Sequence, residues 1–129
     1  MNNDIVTIPA GRYFLGDPCY CFGKSWGEVL NETNFFQNET HEFRDFPIVA
    51  FGTAHGDGEY FDQKGNRFPV DAGLIGLVHE NLIETKDPNW LSKAGIWVES
   101  VGETECWKDG GDLNFGDICI ETDPQYEDD

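Results

Sequence analysis

The stretch Ile96-Trp97-Val98-Glu99-Ser100-Val101-Gly102-Glu103-Thr104-Glu105-Cys106-Trp107-Lys108-Asp109-Gly110-Gly111-Asp112-Leu113-Asn114-Phe115-Gly116-Asp117-Ile118-Cys119-Ile120-Glu121 decides the fold class. It breaks into four short runs rich in β-branched and aromatic residues, Ile96–Val101, Thr104–Lys108, Leu113–Phe115 and Asp117–Glu121, which is strand chemistry. The separators Gly102-Glu103, Asp109-Gly110-Gly111 and Gly116 are short enough to close hairpins, so neighbouring strands run antiparallel. Within Asp117–Asp123, Ile118 and Ile120 point one way while Asp117, Glu121 and Asp123 point the other. Same-face residues on a strand lie ~6.6–6.8 Å apart, which predicts a rigid acidic row along this strand.

Working outward, the same punctuation continues upstream. Ile5–Ile8 and Arg12–Leu15 are separated by Pro9-Ala10-Gly11; Ile48–Thr53, Glu59–Phe61 and Arg67–Val70 are separated by turns at His55–Gly58 and Gln63–Asn66. Leu74–Val78 is almost wholly apolar and belongs in the middle of the structure, with Leu82–Thr85 extending it or forming an edge. Ser25 is placed to cap a helix over Trp26–Phe36, where Trp26, Val29, Leu30 and Phe36 recur near helical spacing. Asp87-Pro88-Asn89-Trp90-Leu91 reads as an N-cap with proline at the first helical position. The expectation is a mainly β chain of the α+β class: a compact antiparallel sandwich or barrel-like domain over residues 1–123. It carries one helix near residues 25–36, a helical turn near 88–93, and a short acidic tail at 124–129.

Composition narrows the partners. The chain has 129 residues with 25 acidic against 8 basic, a net charge of −17, yet 39% hydrophobic and 14% aromatic content argues for a real core. Residues 99–129 hold 11 of the acids and one base, Lys108. Affinity for phosphate backbones and anionic lipid rests on clustered Lys and Arg, so direct nucleic-acid binding and peripheral membrane binding are not expected. No run approaches the ~20 apolar residues of a membrane span. The first residues, Met1 to Val6, carry no basic region followed by an apolar stretch, so a cytoplasmic location is expected, with Cys19, Cys21, Cys106 and Cys119 as free thiols.

Several segments in order, Gly16-Asp17-Pro18-Cys19-Tyr20, Trp26, Gly56-Asp57-Gly58-Glu59-Tyr60, Val70-Asp71-Ala72-Gly73-Leu74-Ile75-Gly76, and Gly116-Asp117-Ile118 with Glu121-Thr122-Asp123, span most of the chain. In them the sequence resembles a family of small, functionally uncharacterised proteins of bacteriophage and bacterial genomes. The resemblance implies a phage or prophage setting, hence the host's cytoplasm, and brings no established activity or site residues.

Candidate chemistry centres first on Cys19. It reads as a nucleophile, with Asp17 orienting His55 or His79 as base, or as a small buried residue after an Asp-Pro turn start. The acidic surroundings favour the second reading, because nearby carboxylates raise a thiol's pKa. A zinc site drawn from the cysteines with His41, His55 and His79 lacks close ligand pairs apart from Cys19-x-Cys21, and the two would share one face of a strand. His55–Tyr60 reads as a turn before it reads as a cation loop. Asp71, between a strand and an apolar run, is either a pKa-raised acid or a cap for backbone N–H groups. No metal and no cofactor are expected.

The acidic third suggests a different use. Trp97 and Trp107 alternate with Glu99 and Glu105, so each is a core residue or an aromatic anchor within an acidic surface. With Glu103, Asp109, Asp112, Asp117, Glu121 and Asp123 they make the candidate binding set. The expectation is a non-catalytic acidic protein contacting the basic surface of a host nucleic-acid-handling or defence protein, as a nucleic-acid mimic does; oligomeric state is left open. The alternative is a small enzyme or ligand-binding module using Asp17, Cys19, Asp57 and Asp71.

Overall fold

The computed structural model describes residues 5–36, 42–84 and 88–123. These form strands β1 (Val6–Ile8), β2 (Gly11–Gly16), β3 (Glu42–Phe43), β4 (Phe46–Gly52), β5 (Gly58–Asp62), β6 (Arg67–Val70), β7 (Leu74–His79), β8 (Gly95–Ser100), β9 (Thr104–Asp109), β10 (Asp112–Phe115) and β11 (Ile118–Glu121). Helix α1 spans Trp26–Glu32 and α2 spans Pro88–Leu91, with 3-10 turns at Pro18–Cys21 and Glu80–Leu82. The strands make two antiparallel sheets, one in the order β1-β9-β10-β11-β5-β6 and the other β3-β4-β7-β2-β8. Of the two architectures expected, this is the sandwich. No helix among the described residues is long and apolar enough to cross a membrane.

Period-two alternation builds the core between the sheets. Ile8, Cys106, Leu113, Phe115, Ile120 and Phe68 from the first sheet pack against Tyr13, Leu15, Val49, Ile75 and Leu77 from the second. Burying each large apolar side chain contributes roughly 1.5–3 kcal/mol. The other face of the five-stranded sheet is covered too. Phe14, Ile48 and Val78 lie under Cys21 and Phe22, Val29 of α1, Phe43, Leu82, Leu91 and Ala94. Among the described residues, the outer face of the six-stranded sheet receives no such layer.

Backbone approach sets the position of the second sheet's strands. Gly16 stands opposite Gly76 on one side and Gly95 on the other, and Gly76 stands opposite Ala50. A Cβ on Gly76 would lie far inside van der Waals contact distance of the Val49 carbonyl oxygen, and one on Gly95 likewise of the Leu15 carbonyl oxygen. This row of small residues is a requirement of packing.

Local chemistry corrects four expectations, and the topology a fifth: Gly102-Glu103 closes no hairpin, because β8 pairs β2 while β9 pairs β1 and β10 in the other sheet. Leu82–Thr85 forms no strand among its described residues: Asn81 donates its N–H to His79 Nδ1 at 3.1 Å, the chain turns at Glu80–Leu82, and Leu82 packs beneath the helical layer. Thr85 and Asp87 lie outside the described residues, as does the 124–129 tail. The first helix stops at Glu32, because the Thr33 hydroxyl donates to the Val29 carbonyl at 2.7 Å and Asn34, Phe35 and Phe36 turn left-handed with φ of 52, 56 and 63°. Ser25 occupies the N-cap position but its side chain makes no capping bond. Cys19 and Cys21 sit on a 3-10 turn, not on one face of a strand.

Candidate functional site

Two regions concentrate the residues singled out by sequence: a loop cluster at one end of the sandwich, and the uncovered sheet face with the cleft at its other end.

The loop cluster is organised by Asp17, which is fully buried. Its Oδ1 accepts the Cys19 N–H at 2.9 Å, and Oδ2 accepts the N–H groups of Asp71 at 2.8 Å and Ala72 at 2.6 Å. A buried carboxylate needs such partners, and these three draw the β2 exit against the β6–β7 turn. The capping role weighed for Asp71 therefore belongs to Asp17, while Asp71 itself is exposed. Thr53 N–H then donates to the Gly73 carbonyl at 2.9 Å, and Ala54 N–H donates to Thr122 Oγ1 at 2.9 Å. His55 Nε2 lies 3.0 Å from Asp123 Oδ1. So segments 16–20, 53–60, 70–76 and 121–123, distant in sequence, are joined by hydrogen bonds in one place. Sequence reasoning missed Thr122, the buried hinge of this network, because a threonine after a strand carries no special signal.

This geometry does not assemble nucleophile, base and orienting acid. Asp17 bonds backbone rather than a histidine; His55 pairs with Asp123; the His79 ring stacks on Phe46 and meets Tyr13 edge-on. Burial, then Asp17 and Asp71, pushes the Cys19 thiol well above the usual range, so the thiolate is disfavoured. Burial and a hydrogen bond to Asp71 push up the Tyr20 hydroxyl likewise. Asp57 is exposed on its turn. Among the described residues, no three His, Cys, Asp or Glu side chains are grouped to hold a metal ion.

The open face carries the acid. Directly opposed residues share a face of the sheet, and the register runs Asp109, Asp112, Glu121, Phe61, Arg67 across five neighbouring strands. Trp107, Asn114 and Cys119 form the next row, with Glu105 two residues before Trp107. The acidic row therefore crosses β9, β10 and β11 at an interstrand spacing of ~4.8 Å instead of running along one strand. Asp117 lies in the β10–β11 turn and Asp123 turns inward to His55, so neither joins Glu121 in the row expected along β11. On these strands Arg67 is the cation of the outer face, and it is paired with Glu59. Phe61, 48% exposed, is a residue the sequence reading did not select. The alternation in Gly58–Asp62, with Tyr60 and Asp62 buried, was its signal.

Trp97 does not belong to this face. It lies on the second sheet, edge-on to Phe14, with the Arg12 guanidinium 4.1 Å above its ring. Trp107 is half-buried and lines a cleft of about 700 Å³. Val98, Phe115 and Ile118 give that cleft apolar lining, and Glu99, Glu103, Glu105 and Asp117 surround it with Lys64.

The seam between β11 and β5 is short, with Ile120 opposite Asp62 and Glu121 opposite Phe61. The Gln63 amide prolongs it, donating from Nε2 to the Asp117 carbonyl at 2.6 Å and accepting the Cys119 N–H at 2.9 Å. A smaller cavity of about 190 Å³ opens there beside Phe61 and Cys119. No known protein family, curated protein or solved structure matches the chain.

Proposed function

We propose that the protein is a non-catalytic binder that presents the open face of its six-stranded sheet to a basic protein surface. The supporting observation is the opposed row of Asp109, Asp112 and Glu121 on a face that no other element covers among the described residues. Like charges directly opposite on a sheet destabilise it, so this row does not serve the fold. Trp107 and Phe61 supply half-buried and exposed aromatic area beside the carboxylates, the residue type enriched at binding hot spots. The resemblance to phage proteins suggests the partner: a host nucleic-acid-handling or defence protein whose basic groove takes carboxylates where it would take phosphates. Complementary fields of this kind speed association and make it sensitive to salt. The enzyme reading is weaker, since Asp17 is occupied by backbone and Cys19 is held as a thiol.

Immobilised protein exposed to bacterial lysate tests this. A basic nucleic-acid-binding protein should be retained at about 50 mM salt, displaced by duplex DNA, and released before about 500 mM. The Asp109→Asn, Asp112→Asn, Glu121→Gln triple variant should fail to retain it. Equal retention by the variant, or retention insensitive to salt, would sink the proposal.

A further inference from the structure

We infer that the free edge of β8, with the cleft beside it, is a docking groove for an extended arginine-bearing segment of a basic protein, added as one more strand. This deepens the binder reading and rests on it.

The first observation concerns edges. An unpaired strand edge offers a row of backbone N–H and C=O groups, and proteins blunt such edges with short strands or proline. Three of the four edges here are blunted: β1 has three residues, β3 has two, and β6 carries Pro69. β8 is different. It has six residues without proline and pairs β2 along its whole length; among the described residues no strand lies on its other side.

The second observation is the cleft that β8 borders through Val98 and Glu99. Its volume of about 700 Å³ falls within the ~300–1,000 Å³ of binding pockets. Trp107, Phe115 and Ile118 offer apolar contact for side-chain stems.

Charge complementarity selects the occupant. Glu99, Glu103, Glu105 and Asp117 outnumber Lys64 around the cleft. A second copy of this chain would bring its own −17 and the same carboxylates, so self-pairing at β8 is repelled. A basic segment is attracted. Arginine suits the site better than lysine, because a guanidinium can lie over the Trp107 ring while its fork bonds carboxylates in pairs. Side chains alternate along an added strand, so every second residue would reach the cleft.

Calorimetric titration with three synthetic peptides tests this: one of about eight residues alternating arginine and valine, the same peptide with lysine for arginine, and the arginine peptide N-methylated on alternate amides. The arginine peptide should bind, the lysine peptide more weakly, and the N-methylated peptide at least about tenfold more weakly, since it cannot complete the edge pairing. Trp107→Leu, and separately Glu103→Gln with Asp117→Asn, should each weaken binding about tenfold. Trp107→Phe, which keeps a ring, should recover part of the loss. Glu42→Gln with Asp45→Asn, exposed at β3 on the opposite edge of the same sheet, should change it less than about twofold.

Equal affinity of the N-methylated peptide, or equal losses from the cleft and Glu42/Asp45 variants, would overturn the groove while leaving the binder reading in place. So would a peptide that never binds while the protein still retains a basic partner from lysate. Failure of both peptide and lysate capture would remove the two together.

Discussion

On the outer side of the five-stranded sheet, Phe14, Ile48 and Val78 are buried under α1, the 3-10 turns and Leu91. On the outer side of the six-stranded sheet, the corresponding surface carries Asp109, Asp112, Glu121, Trp107 and Phe61 and meets solvent. Both sheets alternate with the same period, and both share one core. The difference lies in what the intervening connections contain. Between β2 and β4 the chain spends its length on the Pro18–Cys21 turn, α1 and β3, whose apolar residues need a sheet to cover. Between β8 and β11 the turns are tight, so nothing is left over to shield the outward residues. A face without a cover is free of packing constraint and can carry charge that a covered face cannot.

Breaking the covered side should have the largest effect. Asp17→Ala leaves three part-buried backbone N–H groups without their acceptor, and urea unfolding should show a loss of about 3 kcal/mol; Asp17→Asn should lose less. Gly76→Ala should follow at about 3 kcal/mol, since the added carbon meets the Val49 carbonyl and strand β4 must move. Equal stability of either variant would contradict the packing described.

Alkali sharpens the contrast next. Burial pushes the Tyr13 hydroxyl and the Cys106 thiol up to about 12. The unfolded chain gives up these protons first, near pH ~8.5–10, while the folded chain holds them. Their stabilisation is therefore complete below that range and is lost as pH climbs towards 12. Unfolding free energy measured at a series of pH values should fall across that window, and less steeply in Cys106→Ala relative to its own neutral value.

The smallest effect should carry the opposite sign. Asp112→Asn removes the one charge that opposes both Asp109 and Glu121 and should raise stability by about 0.5 kcal/mol at low salt, with the gain fading in about 1 M salt. A loss of stability would mean that the open face does serve the fold. Thiol labelling reads the same asymmetry: Cys119, half-exposed on the open face, should react before Cys21 and Cys106, which are fully buried. Even Cys119 should be slow, because burial and then Asp112 and Glu121 hold its proton.

Much of the architecture was legible because hairpins are local. Asp109-Gly110-Gly111 and Gly116 close the β9–β10 and β10–β11 hairpins as their chemistry requires, and the proline-headed turn at Pro88 is present; Gly102-Glu103 closes no hairpin, because it carries the chain from one sheet to the other. What was not legible depended on contacts between distant residues. Cys19 and Cys21 looked like strand neighbours because an Asp-Pro turn and the start of a 3-10 turn read alike without the donors at Asp71 and Ala72. Trp97 and Trp107 looked equivalent by alternation with glutamate, yet each strand entered a different sheet. Asp109, Asp112 and Glu121 stood out as acids, but their alignment comes from register across strands, which periodicity along one strand does not contain.

The Gln63 amide has a consequence for how the sheet opens. A side chain stands in for a peptide unit at the β5–β11 seam, where the backbone pairing spans two residue pairs. Side chains rotate away more readily than backbone peels, so this seam is where the β5–β6 hairpin should part from the β9–β11 meander in native-state fluctuations. The Cys119 amide proton, bonded to Gln63 Oε1, then reports that event: it should exchange with deuterium faster than the amides of Leu113 and Ile120 inside the meander, and Gln63→Ala should quicken it further. The acidic strands would remain together through such an opening, as a unit that breathes without dispersing its charge.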